Sequence, residues 1–310
     1  MRHSQKKRNI IRRLIRRLGL YAIIVFLFVP FLLSRRITKV PEGADFSDNH
    51  DKFMKRFGDR CQEIRFTGAT AACGLFGLFV SALDTPDPQR PCVLICHGLG
   101  GEIAQMLPQA TMLIENGCDV FLFDMRGHGQ SEACRTSLGY YESRDAVLAM
   151  DYLRREKGIS KIILYGFSMG AVVAVLAAAR DGKSSGVIAE SPYDTLEEIV
   201  FWNARKMYRV PRFLVKIMLW ATDVRRGSEY KEIDLRIALP QLKGVPMLLV
   251  GTADDQAVPI EMTRGLAPLL GDGQEYWETQ GAEHGALLAD EKVGDEFKSR
   301  INSLLQRCGR

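Results

Sequence analysis

One serine in this chain has neighbours that permit nucleophilic chemistry. The segment Lys161-Ile-Ile-Leu-Tyr-Gly-Phe-Ser-Met-Gly-Ala171 reads as an apolar strand, a turn bounded by Gly166 and Gly170, and the start of an Ala/Val-rich helix. A strand that turns sharply into a helix holds its central residue in strained backbone geometry. The turn lifts that residue's hydroxyl above the sheet, beside the helix N-terminus. Side chains at the two flanking positions would clash with the crossing strand and helix, which is a reason for glycine at both. Ser168 is therefore the candidate nucleophile; the bland alternative is a glycine turn with an incidental serine.

A serine hydroxyl stays protonated at neutral pH and needs a base. The chain has five histidines: His3, His50, His97, His128 and His284. His3 and His50 fall in the N-terminal arm and the segment after it. His284 lies in Gln280-Gly-Ala-Glu-His-Gly285, a loop after a late strand, and is the candidate base. A third group, a carboxylate, should fix the imidazole tautomer and stabilise the imidazolium. The run Met247-Leu-Leu-Val-Gly-Thr-Ala-Asp-Asp-Gln-Ala-Val-Pro259 ends a strand with two adjacent acids. Asp254 is the expected acid, Asp255 is expected to cap or shape the loop, and Asp194 is a weaker candidate. Donors for a developing oxyanion are expected from the backbone N–H of Met169 and of Leu99, with Gly98 second. His97, His128 and Arg126 are expected to hold loops through local hydrogen bonds and to do no chemistry.

These residues need a sheet to position them. The body alternates short apolar runs with helical stretches, the pattern of an α/β fold. Strands are predicted over 61–67, 74–83, 92–96, 118–124, 161–165, 186–190, 245–250 and 274–279, the first two as an antiparallel pair. Helices are predicted to about residue 116 and over 145–157, 168–180 and 290–306. Residues 191–240 read as an insertion across the top of a single domain. Its apolar stripe (Phe201, Trp202, Met207, Tyr208, Phe213, Met218, Leu219, Trp220) is read as helix packing, or in part as the lining of an acyl or aromatic pocket.

The charge is unevenly placed. Residues 1–40 hold eleven Lys or Arg and no acid, so the formal +5 of the whole chain leaves a net negative body. That argues against a nucleic-acid-binding body. Residues 1–17 form a basic amphipathic arm suited to an anionic membrane surface. Leu18 to Ser34 is an uncharged run of seventeen residues, about 25 Å as a helix and slightly short of a hydrocarbon core. Arginines at both ends could snorkel to complete it. The run is read as a transmembrane signal anchor, with a cleaved signal peptide and a surface-lying helix as rivals. The charge bias then keeps the N-terminus cytoplasmic and the body outside. Seven cysteines, several within apolar runs, count weakly against an oxidising compartment. Residues 35–60 read as an exposed linker, and 61–310 as the folded domain.

The ordered landmarks His97-Gly-Leu-Gly100, Arg126-Gly-His-Gly-Gln-Ser131, Gly166–Gly170, Gly251–Pro259 and Gly281–Gly285 resemble those of the α/β-hydrolase superfamily over roughly residues 61–307. Within it the chain is most similar to the serine aminopeptidase, monoacylglycerol-lipase-like and Bem46-like branches. It is more loosely similar to the catalytic domain of prolyl oligopeptidases, whose propeller has no counterpart here. The resemblance implies an eight-stranded, mostly parallel sheet and a metal-free acyl-enzyme mechanism that uses no cofactor, with Ser168, Asp254 and His284 as its triad. The expected activity is that of a serine hydrolase cleaving a carboxylic ester. A serine peptidase acting on small peptides is the alternative, and a catalytically silent, membrane-tethered scaffold is the rival from another class. Expected partners are a small acyl ester or short peptide and a lipid membrane.

Overall fold

The computed structural model describes residues 12–13, 16–17, 31–40, 47–70, 73–85 and 87–309. The basic arm and the apolar run at 18–34 therefore lie mostly outside the described residues. Among the described residues, no helix is long and apolar enough to cross a membrane.

Eight strands form one sheet: β1 (Cys61–Thr67), β2 (Gly74–Val80), β3 (Cys92–Cys96), β4 (Asp119–Phe123), β5 (Ile162–Phe167), β6 (Gly186–Glu190), β7 (Met247–Thr252) and β8 (Gln274–Thr279). Their order is β1-β2-β4-β3-β5-β6-β7-β8. β1 pairs antiparallel with β2, and β2 with β4. From β4 to β8 every pairing is parallel. β3 to β7 are apolar along nearly their whole length and are buried on both faces, as a parallel sheet covered by helices requires.

Helices cover both faces. α1 (Ser47–Phe57), α2 (Leu107–Glu115) and α9 (Gly294–Arg307) bound one apolar layer with the sheet. α3 (Tyr140–Lys157) and α4 (Met169–Asp181) bound the other. Between β6 and β7 the insertion folds as α5 (Leu196–Tyr208), α6 (Arg212–Arg226) and the short α7 (Leu235–Ala238); α8 (Ile260–Arg264) follows β7.

Two differences from the sequence reading have local causes. Part of the expected linker is α1, whose Phe53 and Phe57, one helical turn apart, are buried in the core. α3 begins five residues earlier than the apolar pattern predicts. There Glu142 accepts from the Gly139 and Ser137 N–H groups (2.9 and 2.8 Å) and fixes the helix start.

The insertion's stripe divides. Met218 and Leu219 pack into the core and Phe201 and Trp202 lie partly buried against it, whereas Met207, Tyr208, Phe213 and Trp220 are exposed.

Candidate active site

Ser168 sits between β5 and α4 at φ 55°, ψ −119°, a backbone region that L-residues avoid and that stores strain. Its N–H donates to the Glu190 carbonyl (2.8 Å), which ties the turn to the end of β6. The flanking glycines are required by contact. A Cβ at 166 would overlap the Gly170 carbonyl, and a Cβ at 170 would overlap the carbonyls of Cys96 and His97. The turn thus presses its backbone against the loop after β3, and any side chain at either position would open it.

That loop carries the expected oxyanion donors. The Gly98 N–H is already committed to Gln105 Oε1 (2.9 Å), the Gly100 N–H to His128 Nε2 (3.2 Å) and the Gly101 N–H to the Gly98 carbonyl (3.1 Å). Among the described residues nothing accepts from the Leu99 N–H. The Met169 N–H, the first of α4, has no intrahelical acceptor, as at any helix start. These are the two donors named from sequence.

His97 and His128 hold loops. His97 Nε2 accepts from the Met125 N–H (2.9 Å), and its Nδ1 faces the Gly98 carbonyl (2.7 Å). Burial, with His128 beside it, pushes the His97 imidazole down to about 3, so it is neutral and already bonded at both nitrogens. His128 Nδ1 faces the Arg126 carbonyl (3.0 Å), and burial lowers its pKa too. Asp124 joins the two loops, accepting from the Ile103 and Gln130 N–H groups (2.7 and 2.8 Å). Arg126 reaches further than expected, donating twice to the buried Asp145 of α3 (2.8 and 2.7 Å).

His284 meets the turn from the opposite side. Its ring packs on Phe167, the residue before Ser168, with centroids 4.6 Å apart. A Cβ at Gly285 would lie 2.8 Å from the same ring, and one at Gly98 would lie 3.1 Å from it. Phe167 is thus the common surface on which the β3 loop and the His284 loop converge beside Ser168.

The carboxylate that bonds His284 is Asp255 and not the expected Asp254, which corrects the sequence reading. His284 Nδ1 lies 2.6 Å from Asp255 Oδ2. Asp255 Oδ1 accepts from the Ala257 and Val258 N–H groups, both at 2.8 Å. One oxygen caps the loop and thereby aims the other at the imidazole. Burial raises the Asp255 carboxyl, but the His284 bond and the two backbone donors outweigh it and hold the group below the ordinary carboxylate range. Asp254 faces the other way and accepts from the Gly281 N–H (2.6 Å). Both acids lie in the turn after β7, closed by the Asp255 N–H donating to the Thr252 carbonyl (3.3 Å), and that turn aims them apart. Asp194 accepts from its neighbour Thr195 (2.7 Å) and makes no bond to His284. His50 lies on α1, away from this cluster, and His3 lies outside the described residues.

Sequence reasoning also passed over Glu190. It is fully buried below the turn, where Tyr165 Oη donates to its Oε2 (2.6 Å) and its Oε1 has no partner. Burial pushes its carboxyl up to about 7. A charged residue ending an otherwise apolar buried strand was the available signal. A cavity of about 350 Å³ lined by Cys61, Ser81 and Asp119 lies at the other end of the strands from Ser168.

Comparisons agree with this architecture. Residues 87–236 match the family model described as serine aminopeptidase, S33. The uncharacterized protein YqkD of Bacillus subtilis is 28% identical over 236 residues, covering 73% of this chain and 75% of YqkD. The Pyrococcus furiosus esterase Pf2001 superposes with a TM-score of 0.65 at 21% identity, covering 87% of this chain and 97% of the esterase. A membrane phospholipase A, described as a bacterial virulence factor, gives 0.57 at 17% identity, with 97% and 99% covered. In fold the chain is an α/β hydrolase, and over residues 87–236 it is similar to the S33 family; neither fixes which bond it cleaves.

Proposed function

We propose that this α/β-hydrolase is a serine hydrolase acting on carboxylic esters through an acyl-enzyme. The single observation that carries the reading is the 2.6 Å bond between Asp255 and His284, made by an imidazole packed at a tilt on Phe167, the residue before the strained Ser168. His284 Nε2 takes the Ser168 proton as Oγ bonds to the substrate's carbonyl carbon. The oxyanion forms against the Met169 and Leu99 N–H groups. The bond to the leaving oxygen then breaks, and His284 returns the proton to it. Water next attacks the acyl-enzyme with His284 as base, and Ser168 is released with its proton. Asp255 stays ionised throughout. It holds the proton-bearing Nδ1 toward itself and stabilises the imidazolium.

A fluorophosphonate probe should label the wild-type chain and leave Ser168→Ala unlabelled. Absence of labelling on folded wild-type protein would favour the silent scaffold and end the proposal. A second reading, cleavage of small peptides, is favoured by the S33 aminopeptidase match. A series of nitrophenyl esters run beside aminoacyl anilides separates the two by kcat/KM.

Membrane attachment belongs to the same proposal. The uncharged run Leu18 to Ser34 between Arg17 and Arg35 supports a tether with a cytoplasmic N-terminus and the catalytic domain outside. A topology reporter fused after residue 40 tests it.

A further inference from the structure

At the C-terminal end of α6, four arginines crowd together with no acid among them. Arg225 donates to the Ser34 carbonyl (2.7 Å) and to Thr38 Oγ1 (3.0 Å). Arg226 donates to the Arg135 carbonyl (2.8 Å), and Arg135 to the Arg35 carbonyl (2.9 Å). All of these acceptors are neutral. Among the described residues, none of the four guanidinium groups pairs with a carboxylate. The adjacent acid, Asp223, is turned away to Ser228 Oγ and the Tyr230 N–H (3.0 and 2.9 Å). The Nε–H groups of Arg225 and Arg226 are buried and unpartnered. Burial, and then repulsion from Arg135, Arg226 and Arg35, pushes the Arg225 guanidinium below its ordinary pKa.

Buried donors without acceptors on clustered cations are costly. An anion with several oxygens removes both costs, and phosphate matches guanidinium forks bidentately. The surroundings indicate which phosphate. Trp220 and Val224, on the last turns of α6, are 59% and 68% exposed. Leu32 and Leu33, beside the Ser34 that Arg225 holds, are exposed as well. The chain leading into them is the uncharged run from Leu18. Basic groups beside exposed aromatic and aliphatic side chains suit a headgroup with its acyl layer alongside.

We propose that Arg35, Arg135, Arg225 and Arg226 form a binding site for the phosphate of an anionic phospholipid, with Trp220 and Val224 entering the apolar layer next to it. The insertion, and with it the side of the domain near the site, then rests on the bilayer. Assignment to a lipid leans on the membrane attachment proposed above, whereas a phosphate site by itself does not.

The test uses the full chain in neutral detergent, titrated with bicelles of phosphatidylcholine alone, with bicelles containing phosphatidylglycerol, or with inorganic phosphate. Trp220 emission is isolated by subtracting the Trp220→Phe signal, and thermal unfolding is followed in parallel. The expected result is a blue shift of Trp220 on phosphatidylglycerol bicelles, with affinity about tenfold weaker in Arg225→Gln/Arg226→Gln. Arg135→Gln should weaken it in the same sense, which guards against a local folding defect in the double variant. Equal response to phosphatidylcholine would leave an apolar contact only and overturn the headgroup site. Thermal protection by inorganic phosphate with no Trp220 response to lipid would overturn the lipid assignment while keeping the anion site. No response in any arm, or a Trp220 shift that follows protein concentration alone and so marks a second copy, would overturn the proposal. None of these readouts depends on hydrolysis.

Discussion

Asp255 touches His284 through one carboxylate oxygen and its own loop through the other, while Asp254 beside it touches neither. The two adjacent acids should therefore differ sharply in their substitutions. Asp255→Asn leaves the imidazole without its fixed tautomer, and kcat on a nitrophenyl ester should fall about a thousandfold or more; Asp254→Asn should stay within about fivefold of wild type. Steady-state kinetics on both variants decides between them, and the reverse ranking would remove Asp255 from the site.

Glu190 makes stability depend on pH. Its folded carboxyl is raised to about 7 by burial, above its unfolded value, so between about pH 4.5 and 7 the folded state binds more protons than the unfolded state. The contribution is present at low pH and is lost as pH rises through that window. Glu190→Gln keeps an acceptor for Tyr165 and removes the titration. Relative to wild type it should gain stability from pH 5 to pH 8, by on the order of 3 kcal/mol at most. Urea unfolding at the two pH values measures this; a difference independent of pH would show that Glu190 does not titrate there. Asp255, held below its ordinary range, acts in the opposite sense and only in more acidic solution.

Gly170→Ala tests the packing of the turn. The added methyl would overlap the carbonyls of Cys96 and His97, which are backbone atoms and cannot rotate away. A loss of about 3 kcal/mol or outright misfolding is expected. A urea midpoint within error of wild type would mean that the two segments can part.

Gln105 positions the loop that carries the Leu99 N–H, through its bond to the Gly98 N–H. Gln105→Ala frees that loop without touching the nucleophile or the base. kcat should drop by about ten- to a hundredfold, while KM changes little. Equal losses in kcat and fluorophosphonate labelling, with KM constant, would fit a misplaced oxyanion donor; a pure KM effect would not.

The strands and the Ser168 turn were legible because each is specified locally. Apolar runs bounded by glycine mark the strands, and Gly166 and Gly170 mark the turn. His284 was singled out by its loop after a late strand, the place where the resemblance puts a base. The choice of Asp254 over Asp255 failed because side-chain direction at a strand end depends on where the strand stops. β7 runs to Thr252, two residues past the expected end, and the turn after it sets which acid faces inward. Asp255 was read as the residue that caps the loop, and it does so through Oδ1; capping with one oxygen leaves the other free to meet His284, which the sequence does not display. α1 was missed because only Phe53, Phe57 and little else of its length is apolar, too thin a pattern without the surface it packs on.

None of the three residues proposed as the triad comes from the helical segment between β6 and β7. Ser168 precedes it, Asp255 and His284 follow it, and its own helices face either the core or the outside. The residues proposed to move the proton are thus held by the sheet's own strand ends, and the inserted helices take no part in holding them.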